Sequence, residues 1–199
     1  DAGELQEVVW PIDYYPIDHK FSARGLSYLQ GRGVGLELAQ KYDLRYCPPS
    51  RRIVFPIQYQ GKLYGWQARA VFDTETWDPE TGKTDSVPKA LTARGLRKEN
   101  LFMYMDNLDG EHAVLTEGPF DGLKADLCKG NVVSMGKAVS AQQVGLLRNS
   151  GVKRIYLALD RDAATEIYRV AREFYGLETY LMLAPRPWHD LGEMPPEAV

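Results

Sequence analysis

The chain has 199 residues, 44% of them apolar, and a formal net charge of −3, which suits one or two small domains whose cores need no covalent staples. Its two cysteines, Cys47 and Cys128, are far apart in sequence and form no Cys-x-x-Cys pair, so neither a disulfide framework nor a zinc ribbon is encoded and a reducing cytoplasm is the expected setting. No run reaches the length of a membrane span, and the start "DAGELQEVVW" lacks the basic and apolar stretches of a signal peptide.

In chain order, "DYYPIDHKFSARGLSYLQGRGVGLELAQKYDL" predicts two short helices, one capped near Ser22 and one near Gly35, joined by "GRG". The glycines Gly31, Gly33 and Gly35 follow no strand, so they read as a helix-to-helix turn and not as a phosphate loop. "RIVFPI" and "LYGWQARAVF" are β-rich runs around "QYQGK", a hairpin signal with Gly61 at the bend. Next comes "DTETWDPETGKTD", with the Asp, Pro and Gly content of an exposed loop or long hairpin. It contains Gly82-Lys83-Thr84, but the first glycine of a Walker A loop would fall at Trp77 and Pro88 interrupts the required helix, which excludes a P-loop.

After "DNLDGE", the candidate boundary that divides the chain into 1–108 and 109–199, the rhythm changes. "AVLT", "NVVS", "RIYLALD" and "ETYLMLA" are predicted strands. They alternate with three predicted helices: "PFDGLKADLCK" with Pro119 in its first turn, "SAQQVGLLRNSG" opened by a Ser140–Gln143 capping box, and "AATEIYRVAREFY". That alternation predicts a mainly parallel sheet flanked by helices, with ligands beyond the carboxyl ends of the strands. The whole chain is therefore expected to be α/β, a mixed α+β first part followed by a parallel-sheet domain.

Charge is segregated along the chain. Residues 44–72 hold five cations (Arg45, Arg51, Arg52, Lys62, Arg69) and no acid, and residues 86–98 hold four more (Lys89, Arg94, Arg97, Lys98), again without an acid. The insertion between them carries five acids and one lysine. A basic surface interrupted by an acidic insertion is the simplest picture, the alternative being solvated strand faces.

Four carboxylates fall at the ends of predicted parallel strands: Glu117 and Asp121 in "TEGPFD", Asp160 and Asp162 in "LALDRD". Singly, each pair could complement a helix dipole or close a turn. Converging on one sheet edge they would repel strongly unless a cation sat among them, and an oxygen-only donor set suits Mg2+ or Mn2+.

The series "EGPFD", "GKAVSAQQVGLL" and "LALDRD" resembles the Toprim domain. Upstream, "YLQGRGVGLELAQKYDL", "RRIVFPIQYQGKLYGWQARAV" and "PKALTARGLRKENLFMY" resemble the N-terminal part of the DnaG-type primase catalytic core, in its short phage form. The resemblance runs over about residues 20–193. It implies that Glu117, Asp160 and Asp162 are catalytic, with Asp121 and Asp190 joining them as metal-site acids. It also implies that Arg52, Arg69, Lys89 and Lys98, or Arg97 beside it, bind nucleotide or template. The implied activity is metal-dependent nucleotidyl transfer that makes short RNA primers from ribonucleoside triphosphates on single-stranded DNA. The implied partners are a replicative helicase and a zinc-binding template-recognition module not found in this chain; the implied location is the host cytoplasm if a phage encodes it. Two positions depart from the family pattern: Ala163, Ala164 and Thr165 replace an Ala-Gly pair, and Gly192 stands where a further acid is usual. The competing readings are a primase-derived binding module without catalysis and another Toprim enzyme such as a nuclease; a topoisomerase fragment would need a nucleophilic tyrosine on further domains.

Overall fold

A computed structural model describes residues 5–108, 110–136, 138–159, 164–195 and 198. The described residues form two compact units: one of 7–56 and 64–96, the other of 5–6, Ile57–Leu63 and Arg97–Val199.

The first unit is built on a five-stranded sheet. Its strands, in spatial order, are β1 (Tyr15–Pro16), β2 (Arg45–Cys47), β3 (Arg52–Tyr59), β4 (Lys62–Ala70) and β7 (Ala90–Thr92), and the pairings β1–β2, β2–β3 and β4–β7 are antiparallel. Helices α1 (Ala23–Gly31) and α2 (Leu36–Lys41) match the two predicted ones. Gly25 of α1 lies so close to the sheet that a Cβ there would stand 2.7 Å from the Tyr46 ring. Opposite sides of the sheet follow from the period of two: Cys47, Val54 and Ala68 share a face with the half-buried aromatics Trp10, Tyr14 and Trp66. The acidic insertion forms its own two-stranded ribbon, β5 (Glu75–Asp78) and β6 (Lys83–Ser86), antiparallel and exposed. Three short strands, β1, β2 and β7, were not anticipated from sequence; two or three residues carry no periodicity, and they exist because neighbouring strands offer them a ladder.

The second unit holds the parallel sheet. Strands β8 (His112–Thr116), β9 (Asn131–Val133), β10 (Arg154–Ala158) and β11 (Glu178–Leu181) lie in the order β11-β10-β8-β9, every pair parallel. Helix α3 (Pro119–Lys124) connects β8 to β9, α4 (Ala141–Asn149) connects β9 to β10, and α5 (Ala164–Glu173) connects β10 to β11. Alternate residues divide between two layers. Ala113, Leu115, Ile155 and Leu157 face Val144 and Leu147 of α4, Ile167 and Val170 of α5, and Phe174 just past the end of α5. Val114 and Ala158 face Ala125, Ala184, Leu191 and Met194.

Residues 97–108, placed by the sequence in the first part, pack with the parallel sheet. Met103 makes an antiparallel bridge to Val133, with N–H···O distances of 3.0 and 3.1 Å, and Phe102 and Met105 enter the α4/α5 core. The turn of the β3–β4 hairpin belongs to this unit as well: the backbone amides of Gln60 and Gly61 donate to the Asp106 carboxylate at 2.6 and 2.9 Å. The "LFMYM" run is buried throughout.

Candidate functional site

Strand β8 sends its following helix towards β9, and β10 sends its own towards β11. The two connections diverge between β8 and β10, which is a topological switch point; the carboxyl ends of strands at such a point border a ligand crevice. The register pairs Thr116 with Ala158, the last residue of each strand. Glu117 follows Thr116 directly and is half-buried. Asp160 and Asp162, two of the three acids expected to be catalytic, lie outside the described residues.

The turn carrying Glu117 is fixed from both sides. Thr116 is fully buried, and its carbonyl accepts from the amide and hydroxyl of Ser134 at 3.0 and 3.2 Å. Pro119 opens α3 at a position where a missing N–H is harmless. Asp121 then accepts the Gly118 amide on Oδ2 at 3.1 Å. Behind it Gly122 is needed for close packing: a Cβ there would collide with Val133 Cγ2 and stand 2.9 Å from the Tyr104 ring, whose hydroxyl donates to the Pro119 carbonyl at 3.2 Å.

Asp121 has a second partner. Its Oδ1 accepts the backbone amide of Gly192 at 2.9 Å, which binds α3 to the 3₁₀ turn Leu191–Glu193. Asp190 caps the same turn, its Oδ1 accepting the Glu193 amide at 2.8 Å, while Glu193 accepts the His189 amide at 3.0 Å. Glu117, Asp121 and Asp190 are thus carried by neighbouring turns of one unit. Among the described residues no group of three or more histidine, cysteine or acidic side chains could hold a metal ion. The donors contributed by the described acids are carboxylate oxygens, the chemistry that hard cations such as Mg2+ and Mn2+ prefer.

The expected cations differ in environment. Arg52 is 5% exposed, and its guanidinium donates to the carbonyls of Ala68 (3.4 Å), Lys89 (3.1 Å) and Pro88 (2.7 Å). Burial pushes its pKa down from the ordinary arginine value, against smaller upward effects of Tyr14 and Cys47. Arg69 is half-buried on β4, opposite Ala90. Lys89 has a side chain 72% exposed and stands 3.9 Å from Glu75 of the acidic ribbon. Arg97 is exposed and Lys98 half-buried.

Lys98 borders a pocket of about 360 Å³ with Ser134, Met135, Gly136, Val139 and Gln143. It opens just past β9, at the same carboxyl edge as Glu117. The capping box of α4 does double service here: Gln143, 2% exposed, accepts the Ser140 amide on Oε1 and donates through Nε2 to the carbonyls of Lys98 (3.0 Å) and Leu101 (2.8 Å). Sequence reading found the capping box but not this second use. It also missed Met135, whose φ of +60° is the left-handed region and marks a constrained turn in the pocket wall; no local sequence signal identifies it, since the residue is not glycine, asparagine or aspartate.

A four-stranded parallel sheet, in a chain that also builds a five-stranded sheet from antiparallel pairs, is similar in fold to DnaG-type primase catalytic cores. The DnaG primase catalytic domain bound to single-stranded DNA is similar with a TM-score of 0.72 and 17% identity, over 91% of this chain and 70% of that one. The Aquifex aeolicus primase, comprising zinc-binding and RNA polymerase domains, gives 0.68 and 19% over 89% of this chain; the chain spans about half, 52%, of that structure. The primase fragment of the bacteriophage T7 primase-helicase gives 0.63 and 17%, over 94% of this chain and 77% of that one. No protein-family model and no curated protein matches the chain.

Proposed function

We propose that the chain is the catalytic core of a DNA primase, an RNA-polymerising nucleotidyltransferase acting on a single-stranded DNA template. The observation that carries this is Glu117 at the β8/β10 switch point, in a fold that matches primase catalytic domains over about nine-tenths of the chain. Glu117, Asp160 and Asp162 would hold Mg2+ or Mn2+, with Asp121 and Asp190 on the adjoining turns. When bound, such ions lower the pKa of an attacking 3′ hydroxyl and neutralise charge on the triphosphate.

The chain's own residues do the rest. Lys98, beside the pocket at the same edge, and Arg97 next to it grip the phosphates of an incoming ribonucleoside triphosphate. Arg69 and Lys89 hold the template backbone, contacts that position a strand without reading its sequence. Arg52 acts through Lys89, because its guanidinium grips the carbonyls of residues 88 and 89. In this reading the part up to residue 108 is the basic nucleotide- and template-binding part and the remainder is the Toprim metal-binding part. A replicative helicase and a zinc-binding template-recognition module are the expected partners, in the cytoplasm, which is the host's if a phage encodes the chain. No helix of the described residues is long and apolar enough to cross a membrane.

The test is synthesis from labelled ribonucleotides on single-stranded DNA with Mg2+ or Mn2+. Short, template-dependent RNA products are expected. Template binding without product would instead identify a non-catalytic module, and degradation of the template a nuclease.

A further inference from the structure

We propose that Asp121 is a positioning residue and not a metal ligand: a single carboxylate that ties the turn presenting Glu117 to the turn presenting Asp190. The inference rests on reading this edge as a metal-dependent nucleotidyl-transfer site. Its geometry is independent of that reading.

Both oxygens of Asp121 accept backbone amides, Oδ2 that of Gly118 at 3.1 Å and Oδ1 that of Gly192 at 2.9 Å. Gly118 directly follows Glu117, and Gly192 is two residues past Asp190. The amides at the start of a helical turn have no partner within it. In the turn Leu191–Glu193 they are taken by two carboxylates from different elements, Gly192 by Asp121 and Glu193 by Asp190. Charge-assisted bonds of this kind are about twice as strong as neutral ones, and two from one side chain fix the carboxylate plane as well as its position.

The glycine at 192, a position where an acid was expected, fits the same account. A Cβ at 192 would collide with Asp121 Oδ1 and lie 3.3 Å from Asp190 Oδ1; a Cβ at 118 would lie 2.7 Å from Asp121 Oδ2. The carboxylate is seated between two backbones that can approach it only where no side chain intervenes. Any residue larger than glycine at 192 must expel Asp121 from one of its two bonds. Leu191 and Met194 complete the attachment, being buried in the cluster that also contains Val114 and Ala158. Asp190 is therefore held near the switch point through Asp121 and these two apolar anchors.

The experiment compares wild type, Asp121→Ala, Asp121→Asn, Gly192→Ala and the Asp121→Asn/Gly192→Ala double variant. Amide exchange at residues 118 and 192 is followed by NMR in metal-free protein, and Mn2+ affinity by calorimetry. We expect Asp121→Ala to speed exchange at both amides by roughly tenfold or more, and Asp121→Asn, which keeps one acceptor oxygen, to release at least one of them. Gly192→Ala should reproduce the Asp121→Asn loss of Mn2+ affinity, roughly 10- to 100-fold as for groups that orient ligands, and the double variant should be no worse than the more affected single one. Unchanged exchange at 118 and 192 in Asp121→Ala would overturn the proposal, as would Gly192→Ala with wild-type Mn2+ affinity beside an Asp121→Asn that binds none. A wild-type chain that binds no Mn2+ would count against the metal-site reading, while the exchange measurement, made without metal, would still decide the role of Asp121.

Discussion

The two units of the chain place their charged residues by different rules. In the parallel-sheet unit every strand points the same way, so residues that follow strands collect at one edge, and the divergence of connections between β8 and β10 selects one place along it. In the other unit antiparallel pairs dominate, and a cation on a strand can face the core, the solvent or an edge. Arg52 and Lys89 show the consequence. Both are basic residues in acid-free stretches, yet Arg52 is buried against three carbonyls and Lys89 extends into solvent. Topology locates chemistry in the first case; packing assigns it, residue by residue, in the second.

The sharpest way to break this contrast is at the acids. Glu117→Gln, Asp160→Asn and Asp162→Asn are each expected to lower primer synthesis by roughly 10²–10³-fold, the scale for removing a group that stabilises developing charge. Their thermal stability without divalent cations should stay level or rise, because one of several mutually repelling charges is gone. Full synthesis in these variants would detach function from the switch point.

The unit rich in antiparallel pairs is tested by separating a buried cation, Arg52, from cations that are half-buried or exposed. Arg52→Ala leaves buried carbonyls without donors and should cost about 2–4 kcal/mol, lowering the unfolding midpoint by roughly 5–15 °C in a chain of this size. Gly122→Ala, in the parallel-sheet unit, should cost about 1–3 kcal/mol through overpacking against Val133 and Tyr104, read from the denaturant midpoint. Arg69→Ala, Lys89→Ala and Lys98→Ala should instead leave the midpoint almost unmoved, Lys98→Ala weakening ribonucleoside triphosphate binding and the other two single-stranded DNA binding. Arg69→Ala and Lys89→Ala should each reduce the slope of log affinity against log salt by about 0.7 for every phosphate that is no longer neutralised.

The smallest effects belong to the acidic ribbon. Glu75→Gln removes an exposed ion pair with Lys89 and should change stability by less than about 0.5 kcal/mol, with primer synthesis unchanged. Within the ribbon the Asp78 carboxyl is held below its ordinary pKa, chiefly by the Thr81 hydroxyl and then by the Glu80 amide. A depressed carboxylate pKa stabilises the folded turn above the ordinary aspartate range, and that contribution disappears as pH falls through the depressed value. Acid titration followed by Trp77 fluorescence should therefore show the ribbon loosening only on strong acidification, and Asp78→Asn should remove that step.

Much of the parallel-sheet unit was legible in the sequence because its signals are local. The Ser140–Gln143 capping box, Pro119 at a helix start and four short apolar runs each predict one element, and each element is present. The partners of Asp121 and Arg52 were not legible. Gly192 is 71 residues from Asp121 and Lys89 is 37 from Arg52, and no local pattern states that a carboxylate or guanidinium will meet backbone so far along the chain. The bridge from Met103 to Val133 was not legible for the same reason, being a long-range pairing.

We propose that acids at the carboxyl edge of the parallel sheet carry out metal-dependent RNA synthesis. The most direct measurement is template-directed incorporation of labelled ribonucleotides on single-stranded DNA by wild type and Glu117→Gln side by side, with Mg2+ or Mn2+ and again with a chelator. RNA products are expected from wild type only, present with the cation and absent with the chelator. Equal synthesis by Glu117→Gln, or synthesis by wild type that persists undiminished in the chelator, would contradict it.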